Sequence, residues 1–131
     1  MQPTPTTAPP SKAMLWTGWV ISALPVLGLL FSAAMKFTTS PDLTKGMEHL
    51  GWPMNLAVTL GIIELACTIL YAIPQTSVLG AILLTGYLGG ATATHVRVGD
   101  PFIGPIIFGV LIWLGLFLRD PRLRALIPWR N

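Results

Sequence analysis

The sequence predicts an all-α protein, a bundle of four transmembrane helices with both termini in the cytoplasm. Three observations lead there. Of 131 residues, 53% are hydrophobic and only 10% are charged, whereas a soluble domain carries about 25% charged residues. The hydrophobic residues fall into four apolar runs, each long enough or nearly long enough to cross a hydrocarbon core roughly 30 Å thick. The charges collect in the connections and tails, unevenly between the two sides.

Residues 1–12 hold Pro3, Pro5, Pro9 and Pro10 among threonines and alanines, a composition expected to stay disordered because it has too little apolar surface to bury. Lys12 ahead of an apolar stretch has the outline of a leader. The stretch from 13 to 35 is 23 residues, however, longer than a signal-peptide apolar region, and is expected to remain as a helix. The first helix is placed at residues 13–37. Trp16 and Trp19 stand near its start, where an interfacial aromatic belt belongs, and Pro25 is expected to kink it. Lys36 lies at its far end, where the ammonium can either snorkel to the interface or turn inward.

Residues 38–52 form the longest connection. Thr39-Ser40-Pro41-Asp42 reads as the start of a short interfacial helix, and Leu50-Gly51-Trp52-Pro53 breaks the chain again. The second helix spans 53–72. Pro74-Gln75-Thr76 is so short a turn that the second and third helices must be antiparallel neighbours. The third helix spans 77–95, and its interlocked pairs Gly86/Gly90 and Thr85/Gly89 make a small-residue face suited to close helix packing. Arg97-Val98-Gly99-Asp100-Pro101 is a polar turn, in which Asp100 can cap the next helix or clamp Arg97. The fourth helix spans 102–118, and residues 119–131 are a basic cytoplasmic tail.

Four crossings put both termini on one side. That side carries Lys12, Arg119, Arg122, Arg124 and Arg130 against Asp120, a net of +4. The other carries Lys36, Lys45 and Arg97 against Asp42, Glu48 and Asp100, a net of zero. The positive-inside rule therefore orients the termini toward the cytoplasm. There is no basic stripe interleaved with polar or aromatic readers, so no nucleic-acid partner is expected, and the basic tail suits anionic membrane lipid. Cys67 is the single cysteine. It can form no internal disulfide and belongs to no CxxC motif.

Chemistry centres on Glu64. It lies eleven residues after Pro53, about 16 Å along the helix and near mid-membrane. A carboxylate there must face the bundle and be protonated, paired or hydrated. It is read as a proton-handling or ligand-contacting group, with a packing device hydrogen-bonded to threonine hydroxyls or to a free backbone carbonyl near a kink as the alternative. Lys36, His95, Arg97 and Asp100 cluster at the outer ends of the first and third helices. They can converge with Glu64 in an outward-opening polar funnel, Lys36 and Arg97 as cationic contacts and His95 as a proton exchanger. The alternative for His95 is a ring bonded to a last-turn carbonyl. Glu48, His49 and His95 lack ligand spacing, so no metal site is expected.

Together these features resemble the DoxX-like family of small bacterial inner-membrane proteins, over almost the whole chain beyond the proline-rich lead. The matching pieces are Ser32 to Lys36 closing the first helix, Gly51-Trp52-Pro53 and Gly61-Ile62-Ile63-Glu64 in the second, and the run from Gly89 through His95, Arg97 and Asp100 to Pro101. Most members have no assigned activity. Some relatives are subunits of thiosulfate:quinone oxidoreductase, and others join membrane complexes tied to oxidative stress and thiol balance. The resemblance implies a bound quinone or other small lipophilic ligand, no intrinsic cofactor, and a redox protein partner to carry electrons. A homodimer is the alternative assembly. The reading is a membrane-embedded binding or accessory subunit. The alternatives are a catalytic quinone-coupled subunit with Glu64 as proton donor or acceptor, and a scaffold that docks a partner through the third helix.

Overall fold

The computed structural model describes residues 10–130; most of the proline-rich lead and the last residue lie outside them. The described chain is all helical. Its elements are α1 (Lys12–Met35), α2 (Pro41–Leu50), α3 (Ala57–Ala72), α4 (Ser77–Arg97), α5 (Ile103–Arg119) and the single turn α6 (Pro121–Arg124). Short 3-10 turns, Met54–Leu56 and Pro74–Thr76, lead into α3 and α4. Three helical stretches are long and apolar enough to cross a membrane: Lys12–Met35, Met54–Ala72 and Pro74–Arg97. The apolar α5 is shorter at 17 residues. In each long stretch at most 33% of the most apolar part is buried within the chain. The remaining apolar surface, including Trp16, Phe31 and Leu27, is therefore left for lipid.

The four long helices form a ring in which α1 packs on α3 and α5, and α4 packs on α3 and α5. Thus α1 and α4 face each other across it. Each helix turns a helical stripe inward. On α1 the stripe is Gly18, Ser22, Pro25, Leu29 and Ala33; on α3 it is Ala57, Gly61, Glu64, Thr68 and Tyr71, spacings that share one face. Helix α1 continues through Pro25, which itself is buried.

Local chemistry sets the ends. Ser11 caps α1 by accepting from the Met14 amide at 3.1 Å. Ser40 caps α2, accepting from the Asp42 amide at 3.2 Å with Pro41 in the first turn, so the helix start expected in the 38–52 connection is present. Gly51 ends α2 at φ +79°, a left-handed conformation that disfavours any side chain. At the α3–α4 turn three hydroxyl contacts satisfy the last carbonyls of α3. Ser77 Oγ donates to Tyr71 O at 2.7 Å and Ile73 O at 2.9 Å, and Thr76 Oγ1 donates to Leu70 O at 2.6 Å. Asp120 caps α6, accepting from the Arg122 amide at 3.0 Å. The Arg122 guanidinium bonds both oxygens of that carboxyl and holds it below the usual carboxylate range.

Packing is tight at the end of the ring that carries the described termini. There a Cβ on Gly18 would stand 2.9 Å from Gly115 O, and one on Gly80 would run into the backbone of Leu70 and Tyr71. Tyr71 is fully buried, its hydroxyl donating to Ile112 O at 2.7 Å and paired with the Ser22 hydroxyl at 2.9 Å. By contrast nothing lies within 4 Å of a Cβ built on Gly86, Gly89 or Gly90. Within the chain the close approach of α4 is at Gly80, and the Gly86/Gly90 and Thr85/Gly89 face is open.

This contrast gives a test. Gly80→Ala forces backbone to move and is expected to lower unfolding stability in detergent by about 1–3 kcal/mol, whereas Gly86→Ala leaves it unchanged or slightly raised. Equal effects at the two positions would contradict the packing described.

Candidate functional site

The open half of the ring holds an ion pair between the residue that closes α1 and the interior of α3. Glu64 sits near the middle of the Met54–Ala72 stretch and is 1% exposed. Its Oε2 accepts three bonds: from Lys36 Nζ at 3.0 Å, from Ser32 Oγ at 3.3 Å and from Tyr87 OH at 2.5 Å. Lys36 Nζ also donates to Ser32 Oγ at 2.9 Å. Glu64 Oε1 is buried and has no partner among the described residues. A buried acceptor without a donor costs about 1–3 kcal/mol, so this oxygen is the unspent valence of the site.

The sequence positions these groups in steps. Ser32 and Lys36 are four residues apart and so lie on one side of α1. Lys36 is the residue after the last turn of α1, yet its side chain runs inward and is only 17% exposed. Here the Lys36 side chain turns inward rather than toward the interface, and Gly61 leaves the room for it. A Cβ there would stand 3.1 Å from Lys36 Cβ and 3.1 Å from the Phe37 ring, so the end of α1 lies directly on α3, one helical turn from Glu64. Tyr87 reaches the same oxygen from α4, across the ring.

Around the pair lies a cavity of about 500 Å³ with mostly apolar walls. Leu29, Leu88 and Phe108 contribute wall, Gly86 and Gly90 leave space, and His95 also lines it. Met47 and Leu50 of α2, with Trp52, close the end at which α1 finishes and α3 begins. A second hollow of about 550 Å³ between α4 and α5 is lined by Thr85, Gly89 and Trp113 among others and has no titratable group. The titratable groups Lys36, Glu64, Tyr87 and His95 all line the Glu64 cavity instead.

Of the remaining candidates, His95 reaches the cavity, whereas Arg97 and Asp100 do not. His95 Nδ1 is 2.7 Å from Ala91 O, so the ring is tied to the last turn of α4 and only its other nitrogen is available. Arg97 donates to Leu50 O at the end of α2, and Asp100 meets His49 Nε2 with both oxygens at 2.8 Å. The expected Arg97–Asp100 clamp is not formed, and Asp100 caps no helix, since α5 starts after Phe102 without a side-chain cap. The reason is that α2 folds back over this turn and offers both groups better-placed partners. Together they pin α2 over the cavity. Thr85 accepts from Trp113 Nε1 at 2.7 Å, a link between α4 and α5.

Sequence reasoning passed over Tyr87 and the hydroxyl of Ser32. Both had a signal. A tyrosine in an apolar span needs a partner for its hydroxyl, and Ser32 stands one turn before Lys36. Among the described residues no three His, Cys, Asp or Glu side chains come together.

The fold and this site define a class: a small multi-span helical membrane protein with an ion-paired carboxylate inside the bundle. The chain belongs to the DoxX-like family, whose model matches residues 20–116, and it is a multi-pass protein of the bacterial inner membrane. The matched region holds Ser32, Lys36, Glu64 and Tyr87. Neither a curated protein nor a solved structure matches the chain.

Removing one partner of a buried ion pair costs about 3 kcal/mol or more, because the other charge is left unpaired. Lys36→Met is expected to show such a loss in detergent unfolding, and adding Glu64→Leu to recover much of it. Strictly additive effects of the two substitutions would mean that the groups are not coupled.

Proposed function

We propose that this protein is a membrane-embedded binding or accessory subunit that takes a quinone-like or other small lipophilic molecule in the Glu64 cavity. In this reading α5 is the fourth span, thinning the bilayer locally to suit its length, and both termini are cytoplasmic. The cavity then opens toward the outer side, under α2. The observation that carries the reading is the partnerless, buried Glu64 Oε1 in a mostly apolar cavity of about 500 Å³. Such a hollow suits a molecule with an apolar body and a few polar groups.

The residues fit such a ligand. Glu64 Oε1 accepts from a hydroxyl or N–H. The Lys36 ammonium, with three protons and two bonds made, has one left for a carbonyl or hydroxyl oxygen. Tyr87 and Ser32 orient the carboxylate, and Leu29, Leu88 and Phe108 bury the apolar part. The chain's single cysteine cannot form an internal dithiol relay, and in this reading a redox protein partner carries the electrons.

The test is mass spectrometry of the lipid-soluble molecules that co-purify with wild type, Glu64→Gln and Glu64→Leu. A single apolar molecule retained by wild type, weakened by the amide and lost in the leucine variant is expected. Identical extracts from all three folded proteins would refute a ligand at Glu64.

A second reading, a scaffold that docks a partner through α4, is favoured by the open small-residue face. That face is divided: Gly86 and Gly90 line the Glu64 cavity, whereas Thr85 and Gly89 line the outer groove. Gly89→Leu should then reduce the mass of the native complex and spare ligand retention, and Gly86→Leu should do the reverse. Loss of assembly in neither variant would remove the scaffold reading.

A further inference from the structure

A separate polar cluster lies at the opposite end of the ring, where α5 finishes beside the start of α1 and the α3–α4 turn. Arg119 is its centre. Its Nε donates to Ser22 Oγ at 3.1 Å, and its guanidinium stands 4.1 Å from the centre of the Trp19 ring and 5.3 Å from that of Tyr71. Aromatic faces on a guanidinium stabilise its charge and hold its plane without neutralising it. Arg119 Nη2 is buried and has no acceptor among the described residues. The neighbouring Asp120 is engaged by Arg122, 3.0 Å away. Arg119 thus keeps an unspent charge and an unspent donor beside a pocket of about 300 Å³ that Arg119, Asp120 and Arg122 share with Leu15, Trp19 and Pro74.

We infer that this pocket binds a phosphate ester anion, and that its occupant is the headgroup phosphate of an anionic phospholipid. The net charge of the pocket, two guanidinium groups against one carboxylate, is +1, which matches a phosphodiester. The guanidinium fork suits phosphate oxygens. Leu15 and Trp19, both exposed, offer apolar surface beside the charge, so an acyl chain runs along α1 while the phosphate meets Arg119. Trp16, 71% exposed, marks the same level of α1 as interfacial. This site is independent of the Glu64 cavity. It also assigns the basic end of the chain a defined contact in place of a diffuse attraction to the membrane surface.

The test uses the whole chain in nanodiscs holding phosphatidylcholine and phosphatidylglycerol in equal amounts, with retained lipid read by native mass spectrometry. Wild type is expected to keep phosphatidylglycerol over phosphatidylcholine by about fivefold, the gain of one well-placed cation near an anionic headgroup. Arg119→Gln should bring the ratio near one, and Arg119→Lys should keep part of the preference. Arg122→Gln should also lower it, because Asp120 is then left as a free negative charge in the pocket. Arg122 is 81% exposed, so that variant tests the site without disturbing the packing around Arg119 and decides the matter alone if Arg119→Gln does not fold. Added inorganic phosphate separates the sources. A preference that survives it supports a lipid occupant, and one that it abolishes overturns the lipid in favour of a free phosphate. Equal retention of both lipids by wild type, or a preference unchanged in Arg119→Gln and Arg122→Gln, overturns the site itself.

Discussion

A carboxylate inside an apolar helix must find donors or lose its charge, and much of the bundle's open half follows from how Glu64 meets that demand. Transfer of a lone ionised carboxylate into a low-dielectric medium costs far more than any single hydrogen bond returns. Glu64 answers with three donors drawn from two other helices, Ser32 and Lys36 from the end of α1 and Tyr87 from α4. Those bonds tie together α1 and α4, which lie across the ring from each other. They set the rotation of α4 about its axis, since only one face of that helix carries the Tyr87 hydroxyl. All three donors go to a single oxygen, and the other is left with nothing. A purely structural device would gain by sharing the donors between both oxygens. The lopsided arrangement leaves one buried carboxylate oxygen without a donor among the described residues.

The ring is unequal along its length, and the glycines make it so. At the end carrying the described termini, Gly18, Gly80 and Gly115 allow backbones to approach until a Cβ would collide, and Tyr71, Ser22 and the Ile112 carbonyl close the gap with hydrogen bonds. In the other half, Gly86 and Gly90 have the same lack of side chain but no neighbour, and they enlarge a hollow. The same residue type therefore allows close helix contact at Gly18, Gly80, Gly115 and Gly61 and leaves open space at Gly86 and Gly90. Close packing at one end can hold the helices in register while the other end keeps a space, because packed helices move as rigid elements.

Helix α2 completes this arrangement. It is amphipathic, places Met47 against the cavity, and is pinned by Arg97 on the Leu50 carbonyl and by His49 on Asp100. Both links are near the surface, where single polar contacts are worth about 1 kcal/mol or less. Besides these links, α2 is held by the buried Met47.

Taken alone, the sequence determined the elements and their environment. The four apolar runs, the Ser40-Pro41 start of α2, the sharp α3–α4 turn and the isolation of Glu64 in an apolar helix are local properties. Hydropathy, caps and turns depend on residues near each other in the chain, so they can be read there. The family resemblance was legible for the same reason, in short motifs at fixed spacings. The tertiary structure alone decided who meets whom. Lys36 turns inward because Gly61, 25 positions away, leaves it space. Arg97 and Asp100 abandon each other because α2 folds over their turn. Tyr87 meets Glu64 from α4, a helix whose start Gly80 lets come close to the end of α3. These partnerships depend on helix rotation and depth, and a change of one residue along a helix turns a side chain by about 100°. Periodicity names the inward face of a helix, but only packing chooses which neighbour that face will touch.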